Sequence, residues 1–543
     1  MAQGLTVGQY LVEQLSAWGV ERVYGVVGDS LFFLLDAIGK SDRLQFIPTR
    51  HESAAAFMAS AEAKLTGRMT MCVATSGPGM LNLLNGLADA HTDRAPVLAV
   101  TGQVPTDRIG TGYKQYIDQQ VMVQPLAAYS ALLVTPKALP ELLENAVSAA
   151  QLKGQVAHLS IPKDLFGQMV AAEIKPPRRY QGVLPEPTDE QLSEAAQLLA
   201  KASRSAFLVG LGARGCGEQL VALAERLSAP IILSLPAKGI VPGSHPNVLG
   251  GLGQGASDPA IRALQEADLV VSIGETWWPK QYTPRAPAVL QIDACAENVA
   301  ASRPVEYALI GPVARVLPRL IKKLQASNGD RAWLDSLLQA KETWDNQLAM
   351  EAKASGSPVH PASLIKAVEQ AADQDAIICL DVGDHVVWFN RQFSGQRHFV
   401  QLSGTWRSMG FGLPAAIASK LAAPERQVIL ITGDGGLQMV MGELLTAGAL
   451  STGIVTVVVN NGALAMERNR MIAAGLQPVG TKLHNPNFRA VATACGWHGQ
   501  QVDDASQLST ALQTAIQQAR QGTPALLDVI TSDSMAPGTS PWE

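Results

Sequence analysis

Gly433-Asp434-Gly435, answered downstream by Asn460-Asn461, decides how this chain is read. Between the two, the pattern predicts an amphipathic helix over 439–450 and then a β-branched strand over 454–459. A strand that ends in Gly-Asp-Gly presents backbone N–H groups and one carboxylate, a set suited to a metal-bridged diphosphate. The crossover helix and the next strand return an asparagine to the same sheet edge, where its amide oxygen completes the site. Hard oxygen ligands with room left for phosphate oxygens point to Mg²⁺ rather than zinc. A Gly-Asp-Gly alone ends many strands as an ordinary turn; the Asn-Asn pair at this distance makes it a candidate site.

Bulk properties bound the rest. With 543 residues the chain is too long for one core, and at about 150 residues per domain it divides into three or four. Hydrophobic residues make up 47% and charged residues 16%, so large interiors are expected, part of the apolar surplus serving subunit contacts. A net charge of −5 gives no electrostatic reason to expect nucleic acid. Cys72, Cys216, Cys295, Cys379 and Cys495 are scattered without metal or redox spacing, as expected of reduced core residues in a cytosolic protein. The first residues lack the basic and apolar regions of a signal peptide, and no run approaches the roughly 18 apolar residues that span a bilayer. The expected location is the cytoplasm.

Three α/β segments emerge, with expected bounds 1–170, 189–326 and 358–532. In the first, apolar strands at 22–26, 71–74 and 97–101 alternate with helical patterns. The second has strands at 205–209, 230–234, 269–273 and 289–292; the third at 376–380, 427–431, 454–459 and 525–529. Strands alternating with crossover helices predict a doubly wound parallel sheet in each. Lys175-Pro176-Pro177-Arg178-Arg179, continuing to Pro185-Glu186-Pro187, is a linker by composition. A polar, helical bridge leads to Ser357-Pro358-Val359-His360-Pro361.

Four further segments carry candidate chemistry. His51-Glu52 follows a strand-like 44–48 and opens an alanine-rich helix at 53–65, where an acidic residue also complements the helix N-terminus. Thr75-Ser76-Gly77-Pro78-Gly79 is a strand-to-helix turn. Asp381-Val382-Gly383-Asp384-His385 sits at the carboxyl end of a strand. Ser408-Met409-Gly410-Phe411-Gly412-Leu413-Pro414 precedes another alanine-rich helix, and a methionine there is most often core packing.

Taken with the Gly-Asp-Gly and Asn-Asn segments, these residues resemble the thiamine-diphosphate-dependent decarboxylases and carboligases over nearly the whole chain. The resemblance implies an N-terminal pyrimidine-binding domain, a central domain and a C-terminal diphosphate-binding domain. It implies that Asp434, Asn461 and the carbonyl of Ala463 hold Mg²⁺, with Gly433, Gly435, Gly436 and Gly383-Asp384-His385 around the diphosphate. Ser76 and Gly77 would lie by the pyrimidine, the Arg407 carbonyl would accept from its amino group, and Met409 would prop the cofactor into a bent shape. Glu52 would hydrogen-bond the aminopyrimidine ring. A carboxyl is needed there because protonating the ring nitrogen makes the opposite amino group acidic enough to become the base that removes the thiazolium proton. Burial beside an apolar ring would raise its pKa and let it donate.

In the middle segment, Gly210-Leu211-Gly212-Ala213-Arg214, Pro236-Ala237-Lys238-Gly239 and Gln291-Ile292-Asp293 resemble the central domain of pyruvate oxidases and acetolactate synthases. That domain commonly holds FAD, which would place Gly212, Arg214 and Asp293 at the flavin nucleotide; it also persists in members without flavin. Asn461-Gly462-Ala463-Leu464, Ala473-Ala474-Gly475, Gly480-Thr481 and Asn485-Pro486-Asn487-Phe488 are similar to the pyruvate oxidase and pyruvate:quinone oxidoreductase pattern, with acetolactate synthase next.

Three positions depart from it. Lys114-Gln115-Tyr116 stands where the family shows Phe-Gln-Glu; Gln115 carries over and would hydrogen-bond substrate oxygen, whereas Lys114 either meets a larger anionic substrate or is solvated. Trp406-Arg407 replaces smaller residues and resembles oxalyl-CoA decarboxylase-like enzymes. Glu467 lies where pyruvate decarboxylases carry an acid that could protonate the enamine, unless it is a solvated helix carboxylate near Arg470. Ser540-Pro541-Trp542-Glu543 lacks the amphipathic extension that attaches quinone-reducing members to membranes, so no stable membrane anchor is expected.

The expected activity is decarboxylation of a small 2-oxo acid, pyruvate first, dependent on thiamine diphosphate and Mg²⁺, with the enamine oxidised as in pyruvate oxidase. The alternatives are an acetolactate synthase-type carboligase, a non-oxidative decarboxylase and, in another class, an inactive scaffold or regulatory subunit. Intact Glu52, Asp434 and Asn461 argue against the last. In this family those residues meet across a subunit boundary, so a homodimer or homotetramer is expected.

Overall fold

A computed structural model describes residues 4–176, 184–283, 287–324 and 328–540. The centre of the proline-rich linker and the last three residues, both singled out above, lie outside the described residues. Each of the three segments builds a parallel sheet flanked by helices, and the first and third share one strand order. In the first, the strands run side by side as Gln45–Pro48, Arg22–Gly25, Thr70–Ala74, Val97–Gln103, Val156–Pro162 and Ala127–Leu132. In the third, the order is Phe399–Gln401, Ile377–Leu380, Val428–Gly433, Val455–Asn460, Ala525–Ile530 and His498–Val502. In sequence terms both read second, first, third, fourth, sixth, fifth. The central sheet is five-stranded: Ile231–Leu233, Ser205–Val209, Leu269–Ile273, Ala288–Asp293 and Tyr307–Ile310. A short antiparallel pair, Leu5–Thr6 with Met169–Val170, closes the first domain.

The strands are continuous apolar runs because helices cover both sheet faces. Val97–Gln103 and Val156–Pro162, for example, are buried at every residue. The polar bridge folds as the helix Arg331–Glu351, started by the Asp330 carboxylate accepting from the Trp333 N–H.

One core cluster crosses from the first domain to the third. The helix Glu52–Thr66 owes its close packing to alanines: Ala54, Ala55, Ala56, Ala59, Ala61 and Ala63 are all buried. His51 caps it by accepting from the Ser53 N–H, and Gly67 ends it in the left-handed conformation. It packs on Gly412–Ala422 of the third domain, where Phe57 and Phe411 meet edge to face with centroids 5.8 Å apart. On its other side lies Pro78–Thr92, so close that a Cβ on Gly86 would come within 2.4 Å of Ala56 Cβ.

The single helix expected over 439–450 is a correction. The chain turns straight from strand into the helix Asp434–Met439, breaks, and resumes as Glu443–Ala449. Val440 sits at the break with φ −131°, outside the helical region. The pattern hid this because Gly435 and Gly436 read as a turn, whereas they open a helix whose N-terminus points at the sheet edge.

Among the described residues, no helix is long and apolar enough to cross a membrane. The five cysteines are free, three of them buried.

A buried charge cluster fastens the first domain to the third. Lys64 Nζ donates to Asp89 Oδ2 at 2.7 Å, Asp93 Oδ2 at 2.6 Å and the Leu402 carbonyl at 3.3 Å. Burial works against its charge, but the two carboxylates win and hold its pKa above the ordinary lysine value. Lys64→Met leaves the buried Asp89 carboxylate without its cation, so we expect a stability loss of about 3–5 kcal/mol in urea unfolding. An unchanged midpoint would show the cluster to be energetically idle.

Candidate functional site

The order of strand addition in the third sheet reverses between the parallel neighbours Ile377–Leu380 and Val428–Gly433, and crevices at such switch points collect ligands at the carboxyl ends of the strands. A pocket opens there. It is lined by Gly383, Asp384 and His385 from the first of these strands and by Gly433, Asp434, Gly435 and Gly436 from the second. Met409 enters from one side, and Asn461, Ala463 and Glu467 come from the loop and helix after Val455–Asn460. The residues expected at the diphosphate end and the metal are thus brought together.

Asp434 is the electrostatic centre of the pocket. It is 2% exposed, and its carboxylate accepts from the Gly435 N–H at 2.9 Å, the Gly462 N–H at 2.8 Å and Asn485 Nδ2 at 2.7 Å. All three donors are uncharged. Burial outweighs them and raises its pKa. A buried carboxylate without a cation is costly, and a hard divalent ion restores the balance. Asn461 Oδ1 faces back to the Ala463 N–H at 3.1 Å, fixing the turn that carries both expected ligands. That turn is pinned by Leu464 N–H to Thr481 O at 2.7 Å and by Leu483 N–H to Gly462 O at 2.8 Å. The donor set fits Mg²⁺ and a diphosphate, with the N-terminus of Asp434–Met439 supplying further N–H groups.

The methionine loop is held by a residue whose role the sequence reading did not assign. Asp381, 1% exposed, accepts from the Val382 and Gly410 N–H groups at 2.7 and 2.9 Å and from the Gly412 N–H at 3.1 Å. Burial pushes its carboxyl up to about 6. Its grip sets Met409, whose Cε would lie 3.3 Å from a Cβ on Gly435, a position crowded further by Leu464 Cδ2 at 2.7 Å. His385 Nε2 donates to the Asp381 carbonyl at 2.9 Å, and burial lowers the imidazole to about 4. It is therefore neutral, with the proton on Nε2 and Nδ1 free to accept. Asp384 is reached by Asn469 Nδ2 at 3.4 Å, and burial raises its pKa.

Asn485, in sequence only one residue of a family-like Asn-Pro-Asn-Phe segment, ties the site together. Besides Asp434 it donates to Asn460 Oδ1 at 2.7 Å, and Asn460 Nδ2 donates to Asp528 Oδ1 at 2.8 Å. A local motif cannot reveal this, because the partners come from strands far apart in sequence.

Glu52, Ser76, Gly77 and Gln115 form a second group on the first domain, outside the pocket just described, with Arg407 contributed by the third. Glu52 is half-buried at the helix start; Asn82 Nδ2 donates to its Oε2 at 3.0 Å, and its Oε1 lies against Gly79. Ser76 is buried, its N–H bonded to Ser30 Oγ at 3.2 Å. Gly77 has φ +63° and backs onto Gln115, leaving 2.8 Å between a Cβ there and the Gln115 carbonyl. Gln115 and Lys114 are exposed. Arg407 also has a positive φ, +56°, and its Nε donates to Gly404 O at 3.1 Å, so the guanidinium is partly engaged by its own loop. Asn85 bridges the two groups, accepting from Trp406 Nε1 at 2.8 Å and donating to Ser408 Oγ at 3.0 Å. Glu467 is exposed at the pocket mouth.

The central domain is a poorer match to a flavin nucleotide. Gly212 packs on Gly274, and the Glu275 carboxylate lies against Gly210 at the mouth of the turn, where an anionic pyrophosphate would meet it. Arg214 stacks on Phe399 of the third domain, 3.4 Å from the ring centroid. Lys238 is buried and donates to the Phe393 carbonyl at 2.8 Å. Asp293 accepts from the Cys295 N–H and from Asn298 Nδ2 at 2.9 and 3.0 Å. Arg214, Lys238 and Asp293 are thus engaged within the fold, and the Glu275 carboxylate stands against the glycine turn that a pyrophosphate would approach.

Three family profiles match the chain in order: the N-terminal TPP-binding domain of thiamine pyrophosphate enzymes over residues 5–122, their central domain over 192–320 and their C-terminal TPP-binding domain over 381–529. The chain is 36% identical over 530 residues to a putative thiamine pyrophosphate-containing protein of Bacillus subtilis, covering 97% of this chain and 91% of that one. It is 31% identical over 547 residues to a pyruvate oxidase of Lactiplantibacillus plantarum, at 98% and 90% coverage. It is 30% identical over 541 residues to the large subunit of acetolactate synthase isozyme 1 of Escherichia coli, at 96% and 93% coverage.

Asn485→Leu removes one donor from Asp434 without touching an expected ligand. Support of this kind typically carries about 10–100-fold in metal affinity, and we expect a loss of that size in calorimetric titration with thiamine diphosphate and Mg²⁺. Unchanged binding would mean that Asp434 holds its orientation unaided.

Proposed function

The chain belongs to the thiamine pyrophosphate enzymes, those that decarboxylate 2-oxo acids or join the product to a second carbonyl, and we propose that it decarboxylates a small 2-oxo acid, pyruvate first. The observation that carries this reading is Asp434, a buried carboxylate with three neutral donors in a pocket shared with Asn461, Ala463 and Met409. In the proposal Asp434, Asn461 and the Ala463 carbonyl hold Mg²⁺. Gly383, Asp384, His385 and Gly433 to Gly436 surround the diphosphate, and Met409 supports the bend. Bound thiamine diphosphate supplies an electron sink for loss of carbon dioxide.

The chain's own residues have distinct tasks in this account. Glu52 holds the proton that polarises the pyrimidine ring, and Asn82 fixes the carboxyl that carries it. Neutral His385 adds no charge beside the phosphates, and its Nδ1 is left as a hydrogen-bond acceptor there. Ser76, Gly77 and the Arg407 carbonyl frame the ring edge, and Gln115 reaches the substrate oxygen. Glu467, which lines the pocket, is the proposed acid that protonates the product carbon on the way to aldehyde, and its presence there supports that role.

An oxidative fate, in the manner of the pyruvate oxidase relative, needs an electron acceptor. FAD in the central domain would supply one, but Glu275 against Gly210 weighs against that nucleotide. We therefore place protonation or transfer to a second carbonyl ahead of oxidation. Flavin absorption in the purified protein would reverse that order. The working unit in the proposal is a homodimer or homotetramer that brings Glu52 of one subunit to the diphosphate pocket of another.

Glu52→Gln tests the central assignment. We expect it to bind thiamine diphosphate with near wild-type affinity, because the amide still hydrogen-bonds the ring. Exchange of the thiazolium proton for deuterium, followed by NMR, should slow by about 10²–10⁴-fold, the usual range for a lost acid–base group. Exchange at the wild-type rate would remove Glu52 from this role.

A further inference from the structure

Glu443 belongs to the third domain and takes no part in the pocket around Asp434, yet it is 1% exposed and carries a carboxylate. Its Oε1 accepts from two consecutive backbone N–H groups of the first domain, Arg50 at 2.9 Å and His51 at 3.1 Å. Its Oε2 accepts from Thr446 Oγ1 at 2.7 Å, one turn along its own helix, which fixes the carboxylate's rotation. The break after Met439 is what turns Glu443 toward the first domain, and a Cβ on Gly442 would already sit 3.4 Å from Arg50 Cβ. The gripped amides immediately precede Glu52. Thr49 anchors the same segment from within its own domain, through its N–H to Gly25 O and its hydroxyl to His51 O. Glu443 supplies the hold from outside.

The first domain returns the same device. Asp93 accepts from two consecutive N–H groups of the third domain, Gly404 and Thr405, both at 2.9 Å. Those amides precede the loop that carries Arg407 and Met409. Both gripped segments follow the second strand of their sheet, and both carboxylates lie in the crossover between the third and fourth strands, Glu443 opening its second helix and Asp93 capping the end of its only one. The shared strand order of the two domains makes the two gripped segments correspond. A buried acidic side chain is expensive unless it is hydrogen-bonded, so the use of Glu443, 1% exposed, to hold two backbone amides argues for a specific mechanical task.

Resting on the role proposed for Glu52, we infer that Glu443 is a positioning residue for it: the carboxylate fixes the backbone from which Glu52 projects, and so sets how the Glu52 carboxyl meets the pyrimidine ring. It contacts neither cofactor nor substrate. What it supplies is a pair of acceptor lone pairs in a fixed place, not a charge or a proton.

Glu443→Met fills the same space without the acceptors; Glu443→Gln keeps an oxygen where Oε1 lies. Two readouts are taken. In the cofactor-free protein, amide hydrogen exchange at Arg50 and His51 should quicken in Glu443→Met and stay close to wild type in Glu443→Gln. In the holoenzyme at saturating thiamine diphosphate, thiazolium proton exchange should slow by about 10–100-fold in Glu443→Met, the scale of a displaced reacting group, with cofactor affinity retained. Glu443→Gln should recover most of that rate. Wild-type exchange in Glu443→Met overturns the inference, as does loss of cofactor affinity without slower exchange at saturation. A Glu443→Gln enzyme as slow as Glu443→Met also overturns it, because the charge would then be the active feature. If Glu443→Met does not fold, Thr446→Val takes its place, releasing only the hydroxyl that orients the carboxylate; slower exchange is expected and an unchanged rate overturns the inference. Glu52→Gln run alongside separates the failures. If it too exchanges at the wild-type rate, the Glu52 assignment falls; if it is slow and Glu443→Met is not, only the Glu443 inference falls.

Discussion

A negative charge sealed into a sheet edge organises this molecule. Asp434 is buried beneath three neutral donors, and burial alone would drive it toward protonation. Everything around it makes sense as preparation for a cation. The Gly462 N–H and Asn485 fix one oxygen, Asn460 and Asp528 fix Asn485, and the turn at Asn461 to Ala463 is pinned on both sides. Preorganisation of this kind lets the ordering cost be met during folding, so that the free energy of binding the metal is not spent on rearranging its ligands.

The same logic extends to the contact between the first and third domains. An alanine-rich helix allows close approach, Phe57 and Phe411 lock its angle, and Lys64 pairs with Asp93 and with the fully buried Asp89, whose charge burial opposes. Apolar packing of this extent gives adhesion, but it tolerates sliding. Hydrogen bonds from buried carboxylates to backbone amides do not, because an unmade bond there leaves a buried charge unpaired. Placing such bonds one and two residues before Glu52, and shortly before Arg407, puts stiffness where a ring must be met at a defined angle.

Much of this was legible in the sequence. Alternating strands and helices gave three parallel sheets, and the Gly-Asp-Gly and Asn-Asn segments located the pocket, because both report local backbone needs: a turn, a helix start, a carboxylate at a strand end. What escaped was everything that depends on a distant partner. Asp381 was read as one letter of a loop, yet its bonds run to Gly410 and Gly412. Asn485 looked like a family spacer until Asp434 came within reach of it. Glu443 fell inside a stretch read as one amphipathic helix, and periodicity cannot show that the helix breaks. In the central domain the glycines were visible but their surroundings were not: Gly210 lies against Glu275, which the sequence places more than sixty positions away.

The central claim is that this chain uses thiamine diphosphate and a divalent cation to break the bond between the carboxyl and carbonyl carbons of a short 2-oxo acid. Its most direct test is release of labelled carbon dioxide from carboxyl-labelled pyruvate and longer 2-oxo acids by protein stripped of cofactor, with thiamine diphosphate and Mg²⁺ restored separately and together. The account predicts release only when both are present, from at least one member of the series. Release that is indifferent to either addition, or none from any short 2-oxo acid with both bound, would contradict it.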